Sequence, residues 1–133
     1  MKKTVLFICV HNSGRSQMAE AFFNRLVQGK AQAISAGTEP ADKVNPVVVE
    51  AMREVGLDIS QNKPKALTLE MVEQAARTIT MGCGSDAACP VTLTETEEWK
   101  LDDPEKKTLA EVRDIRDEIK TRVEQLIEDI QLS

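Results

Sequence analysis

Apolar and polar positions follow two different rhythms along this chain. Residues 4–10 are almost wholly apolar and include β-branched side chains, which predicts a strand buried on both faces. Residues 16–27 then place Met18, Ala19, Phe22, Phe23 and Leu26 at helical spacing, with Gly29 as the stop. A second short strand is expected over residues 31–35. Asn45-Pro46 is a helix start, an Asn cap with proline in the first turn, and the helix it opens carries Val48, Ala51, Met52 and Val55 on one face before Gly56 ends it. Pro64 breaks the chain again. Thr68 can cap a helix through Met71, Val72 and Ala75, and residues 77–81 read as a third strand. A segment rich in glycine and alanine, 82–90, follows. Residues 98–101 are expected to form a short fourth strand ending at Asp102-Asp103-Pro104. Thr108 and Glu111 then make a capping box, after which Leu109, Val112, Ile115, Ile119, Val123, Leu126, Ile127 and Ile130 recur every three or four positions. Charged residues fill the opposite face, which reads as solvated surface.

Strands separated by helix-length segments imply βαβ units, hence an α/β fold with a small four-stranded parallel sheet flanked by helices. No internal repeat or linker interrupts the pattern, so residues 1–133 are expected to form a single domain. In such sheets the functional loops gather at the carboxyl ends of the strands. Cys9-Val10-His11-Asn12 leaves the first strand, Cys83 the third and Asp103 the fourth, so all three are expected on one rim.

The composition narrows the chemistry. Hydrophobic residues make up 41% and charged residues 29% of 133, ordinary for a globular domain. Seventeen basic against twenty-two acidic residues leave a net charge of −5, which disfavours nucleic acid or an anionic membrane as partner. One Trp, three Phe and no Tyr make stacking on bases a poor activity. The basic start Met1-Lys2-Lys3 and the apolar run superficially resemble a signal peptide. The run ends at His11-Asn12 with no small-residue cleavage site, so a cytoplasmic protein is expected. Three cysteines are too few for a disulfide scaffold and one short of a four-thiolate zinc site, and no CxxC occurs. No metal and no cofactor are expected.

Chemistry is concentrated in Cys9-Val10-His11-Asn12-Ser13-Gly14-Arg15-Ser16. A loop that ends in Arg and opens a helix can turn successive backbone N–H groups, a helix N-terminus and a guanidinium fork toward one point. That is a site for a tetrahedral oxyanion, and a cysteine in the same concavity has its thiolate favoured by the same positive field. Ser16 can donate to that sulfur, and Gly14 permits backbone conformations that a side chain would forbid. The bland alternative, Cys9 as a small buried hydrophobe at a strand end, leaves the Arg and Ser unexplained.

Cys-x5-Arg-Ser directly after a first strand resembles the low-molecular-weight protein tyrosine phosphatases and their relatives the arsenate reductases, and residues 9–22 (CVHNSGRSQMAEAF) look like the reductase branch. Further matches are Ser35-Ala36-Gly37-Thr38, Val44-Asn45-Pro46, Ile59-Ser60, Cys83 with Cys89-Pro90, Trp99-x-Leu-Asp-Asp-Pro104, and residues 112–119. The resemblance spans nearly the whole chain. It implies a low-molecular-weight phosphatase-like fold and reduction of arsenate to arsenite in arsenic detoxification. By that resemblance, the loop Val10, His11, Asn12, Ser13, Gly14, Arg15 and Ser16 holds the oxyanion, with Asn12 bracing it. Cys9 is the nucleophile and Asp103 the general acid. Cys83 then attacks the Cys9 sulfur, and Cys89 takes over the disulfide for reduction by thioredoxin or a low-molecular-weight thiol system. The two electrons needed to take arsenic from V to III match two thiols becoming a disulfide. A monomer is expected.

The alternative is aryl-phosphate hydrolysis by a phosphatase on the same fold, which needs one cysteine. Such phosphatases usually follow the Asp-Pro pair with aromatic residues, where this chain has Glu105-Lys106-Lys107. Some relatives hold a potassium ion beside the loop through an Asn, a Glu, a Ser and a downstream Asp. Asn12, Glu20 and Ser35 match, but Lys65 stands at the last position, so its ammonium is expected in the ion's place.

Overall fold

The computed structural model describes residues 3–27, 29–81 and 96–132; Cys83, Cys89 and the glycine- and alanine-rich segment 82–90 lie outside them. The elements in chain order are β1 (Lys3–Cys9), α1 (Arg15–Val27), β2 (Ala31–Gly37), α2 (Pro46–Arg53), α3 (Leu69–Gln74), β3 (Arg77–Thr80), β4 (Thr96–Glu98) and α4 (Leu109–Leu132). The four strands form one sheet in the order β2-β1-β3-β4, and every pairing is parallel. The expected α/β class and sheet are therefore present.

Burial on both sides explains why β1 is continuously apolar. Val5, Phe7 and Cys9 face a large core closed by α1, α2 and α4, whereas Leu6 and Ile8 face a smaller one closed by Val72 of α3. Phe7 is central to the first, packed against Phe23 at 6.1 Å and Trp99 at 5.6 Å between ring centroids. Pairs of this kind add about 0.5–1.5 kcal/mol beyond the area they bury.

The helix ends follow local chemistry. Asn45 Oδ1 accepts from the Val47 N–H at 2.9 Å ahead of Pro46, a cap worth about 1 kcal/mol. Thr108 and Glu111 bond reciprocally at 3.0 and 3.2 Å, and the Thr108 backbone N–H holds the Glu111 carboxyl below its usual range. At the surface, Glu54 takes both Arg113 and Arg116, which ties the end of α2 to α4. The hydrogen bond from Arg113, aided by Arg116, pulls the Glu54 carboxyl down to about 2.

Some boundaries differ from the sequence reading, for identifiable reasons. The fourth strand lies at Thr96–Glu98 rather than 98–101. Trp99 still donates its N–H to Thr80 O at 2.9 Å, but its side chain is buried and the chain then leaves the ladder, presenting the Leu101 carbonyl to Arg15. Strand β2 continues to Gly37 instead of Ser35, because Ala36 and Gly37 pair with Ile8 and Cys9. Helix α2 stops at Arg53, short of Gly56, and Val55 beyond it is 38% exposed rather than on the core face. In α1 the buried stripe passes to Val27 and leaves Leu26 on its rim.

Candidate active site

The loop between β1 and α1 lies at the carboxyl edge of the sheet, as the βαβ pattern requires. Every carbonyl along it is taken. Those of Cys9, Val10, His11 and Ser13 accept from the N–H groups of Thr38, Glu39, Ala41 and Asn45 at 2.7–3.2 Å. The Asn12 carbonyl accepts from Gln17 Nε2 and that of Gly14 from Met18 N. The loop's carbonyls are therefore committed to partners outside it. The Asn12 N–H points to the Cys9 sulfur, 3.3 Å from Cys9 Sγ. A loop of this form ahead of the N-terminus of α1 is suited to cradle an anion.

Cys9 is a free, buried thiol, and Ser16 Oγ lies 2.8 Å from its sulfur. Asn12 sits at φ +50°, a left-handed conformation that Asn tolerates better than most residues, and its Nδ2 donates to Ser16 Oγ at 2.7 Å. Arg15, 6% exposed, opens α1 and donates to the Leu101 carbonyl at 3.3 Å; its Nη2 stands 3.6 Å from Asp103 Oδ2. The other Asp103 oxygen accepts from the Glu105 N–H at 3.0 Å, which fixes the carboxylate at the mouth of the loop. Pro104 is buried against Gly14, where a Cβ would lie 2.5 Å from Pro104 Cγ. Proline and glycine thus set how close the Asp103 segment approaches Cys9.

Cys9, Asn12, Gly14, Arg15, Ser16 and Asp103 are brought together, with Val10, His11 and Ser13 supplying backbone. The His11 ring donates from Nδ1 to the Glu39 carbonyl at 3.0 Å, a tie across the loop. Asp102 is exposed and Trp99 is a buried anchor. The Lys65 ammonium lies 3.6 Å from Glu20 Oε1, which also accepts from Ser35 Oγ at 3.1 Å, and the Lys65 backbone N–H donates to Asn12 Oδ1 at 2.9 Å. Of the three residues matched in the sequence, the ammonium thus meets Glu20, whereas Asn12 is met by the Lys65 backbone and Ser35 by Glu20. Among the described residues no group of three or more His, Cys, Asp or Glu is arranged to hold a metal ion.

Reasoning from sequence missed three contributors. Residues 38–45 receive the loop's carbonyls. Gly37 forms its floor, and a Cβ there would lie 2.6 Å from Val10 O. Gln17, fully buried in α1, clamps Asn12. All three lie in or beside segments that carry the family resemblance, but only Gly37 had a physical signal of its own, a glycine where another backbone must approach closely.

Comparison with known proteins places this geometry. Residues 4–133 match the family model described as low molecular weight phosphotyrosine protein phosphatase. Arsenate reductase 2 of Staphylococcus epidermidis is 40% identical over 125 residues, covering 92% of this chain and 95% of the relative. The solved thioredoxin-dependent arsenate reductase of Corynebacterium glutamicum is 37% identical with a TM-score of 0.82; the match covers 98% of this chain and 63% of that one. A structure described as an arsenate reductase in the phosphate binding state is 36% identical with a TM-score of 0.84, covering 96% of this chain and 98% of the other. The chain belongs to the low molecular weight phosphotyrosine protein phosphatase family, among the members related to the arsenate reductases.

Proposed function

We propose that this chain is an arsenate reductase that detoxifies arsenate by reducing it to arsenite. The observation that carries the reading is the buried Cys9 sulfur, which faces Ser16 Oγ at 2.8 Å and the Asn12 N–H at 3.3 Å, inside a loop closed by Arg15 and Asp103. Arsenate sits on the backbone of residues 10–16 with Arg15 on its oxygens. Cys9 thiolate attacks arsenic, and Asp103 protonates the departing oxygen, which leaves as water. Cys83 thiolate then attacks Cys9 Sγ. The sulfur–arsenic bond breaks with its electron pair kept by arsenic, which leaves as arsenite, and Cys9–Cys83 forms. Two thiols are oxidised and arsenic gains two electrons. Cys89 exchanges with this disulfide to give Cys83–Cys89, which thioredoxin or a low-molecular-weight thiol reduces.

Residues 1–133 act as one cytoplasmic, monomeric domain in this proposal, without membrane or nucleic acid. The acidic net charge and the 24-residue α4 with its charged outer face suit that state. Among the described residues no helix is long and apolar enough to cross a membrane. A phosphatase reading uses the same thiolate and acid, and the family description favours it; the three cysteines favour reduction. One assay separates them: arsenate-dependent NADPH oxidation with thioredoxin and thioredoxin reductase, run beside hydrolysis of an aryl phosphate. Arsenate-driven turnover is expected. Aryl-phosphate hydrolysis with no arsenate-dependent oxidation under any thiol reductant would overturn the reductase reading.

A further inference from the structure

The hydrogen bonds around Asn12 form a directed chain from the protein surface to the Cys9 sulfur. An amide can offer either oxygen or nitrogen to a neighbour, and here the neighbours decide. Asn12 Oδ1 lies 2.9 Å from the Lys65 backbone nitrogen, which only donates, so Asn12 Nδ2 is assigned to Ser16 Oγ at 2.7 Å. Gln17 Nε2 meets two acceptors, Asn12 O at 3.2 Å and Asn12 Oδ1 at 3.1 Å. Gln17 Oε1 is thereby left to accept, and it does so from Asn62 Nδ2 at 3.1 Å. Ser16 Oγ already accepts from Asn12. Against an ionised Cys9 its hydroxyl can only donate, along the 2.8 Å contact to Sγ.

The placement of Gln17 is costly unless it does something. It is fully buried in the stripe of α1 that also carries Met18, Ala19 and Phe22, where an apolar residue would pack without any polar group to satisfy. Its nitrogen instead bridges the backbone carbonyl and the side-chain oxygen of one residue, the one held at φ +50°. Asn62 reaches it from an exposed turn in which the Asn62 N–H bonds Ile59 O at 3.1 Å. The same segment supplies the Lys65 N–H, and the Lys65 carbonyl is held in turn by Gly37 N at 2.8 Å.

We propose that Gln17, oriented by Asn62, is a positioning residue that fixes Asn12 and Ser16 as donors to the Cys9 thiolate. Neither Gln17 nor Asn62 has a hydrogen bond to the sulfur; both act through Asn12. The proposal rests on the reading of Cys9 as the nucleophile.

Two substitutions test it from opposite ends. Asn62→Asp places an acceptor-only carboxylate against Gln17, so the Gln17 amide reverses and its oxygen faces the two Asn12 oxygens. Gln17→Met keeps the length, carries no charge and removes both bonds to Asn12. Arg15 and Asp103 at the loop rim and Lys65 and Glu20 beside Asn12 are unchanged in both, and the carboxylate that Asn62→Asp adds is absent from Gln17→Met. Iodoacetamide alkylation of Cys9 in the reduced full chain is followed across pH by peptide-resolved mass spectrometry. Each variant is expected to slow Cys9 alkylation about tenfold at a fixed pH on the rising part of the profile. The arsenate kcat should fall with KM little changed, and Asn62→Ser, which retains a donor, should restore the wild-type profile. Wild-type Cys9 profiles in both folded variants would overturn the proposal; should Gln17→Met not fold, the surface variant Asn62→Asp decides alone. Alkylation uses no arsenate, so failure of the reductase reading appears separately, as absent turnover by the unsubstituted protein.

Discussion

Adding one methyl group at Gly37 is expected to disable the oxyanion loop while leaving the fold in place. A Cβ there would lie 2.6 Å from Val10 O, 2.9 Å from Asn12 N and 3.0 Å from His11 C, all backbone atoms that cannot swing aside. Relief needs a displacement of about 0.8 Å, the shortfall from an ordinary van der Waals contact. Gly37 itself is held on both sides, its N–H on Lys65 O at 2.8 Å and its carbonyl by Leu67 N at 2.9 Å, and it pairs with Cys9 in the sheet. The loop therefore gives way. The Asn12 N–H, 3.3 Å from Cys9 Sγ, then moves toward the limit of a sulfur hydrogen bond. Overpacking of this kind costs about 1–3 kcal/mol of stability, and misplacing one preorganised donor costs about 10²–10³ in rate. Gly37→Ala should thus melt within several degrees of the unsubstituted protein. In the same sample, phosphate affinity by calorimetry and single-turnover arsenate reduction should fall by about 10²-fold or more. Phosphate affinity and turnover at unsubstituted levels would refute the claim that Gly37 forms the floor of the site.

Further outcomes follow from the same geometry. Cys9→Ser should abolish arsenate turnover, since a serine hydroxyl is not ionised at neutral pH and offers no sulfur to Cys83; Arg15→Lys should be nearly as severe, because a point charge replaces a planar fork, and thioredoxin-coupled NADPH oxidation reads both. Gly14→Ala should push Pro104 and with it Asp103 outward, lowering the acid-dependent rate by about 10²-fold while Cys9 alkylation is unchanged, a split visible by comparing pH–rate profiles with alkylation rates. Because Arg113 and Arg116 hold the folded Glu54 carboxyl at about 2, below its ordinary 4.5, its stabilising effect is full above the ordinary value and is lost as pH falls toward 2. Glu54→Gln should therefore melt lower than the unsubstituted protein at pH 7 and converge with it near pH 2. With the Lys65 ammonium 3.6 Å from Glu20, arsenate turnover should be the same in potassium as in a bulky monovalent cation at constant ionic strength, and marked potassium stimulation would show otherwise.

Those residues whose role depends on local pattern were legible in the sequence. The all-apolar β1, the Asn45-Pro46 start and the Thr108–Glu111 box each rest on neighbours within a few positions, and each is found in the structure. Cys9, Arg15 and Ser16 were legible for the same reason, being spaced on one loop and one helix turn. Residues that act across the fold were not. Gln17 looks like an ordinary polar position until the Ile59–Lys65 stretch is folded over it, since its partners Asn12 and Asn62 are five and forty-five residues away. Asp103 was assigned by motif, but its approach to Arg15 depends on Pro104 seating on Gly14, a contact between segments ninety residues apart. The fourth strand was displaced by a related effect: Trp99 and Leu101 look strand-like, yet Trp99 serves the core and Leu101 serves Arg15.

The position of β1 between β2 and β3 has a consequence for how this protein fails on heating. Opening free energy rises from the margins of a sheet to its middle, so the strand bearing Cys9, with Val5 to Ile8 fully buried, opens only when the whole sheet does. The Asp103 segment follows β4, which is three residues long and pairs with β3 alone among the described residues. Amide exchange should accordingly be slowest along β1 and much faster from Glu98 to Lys107. The two halves of the site then belong to different breathing motions, one global and one local. On warming, the Asp103 segment is expected to loosen before the strand that carries Cys9, so arsenate turnover should decline below the melting temperature while β1 keeps its slow amide exchange.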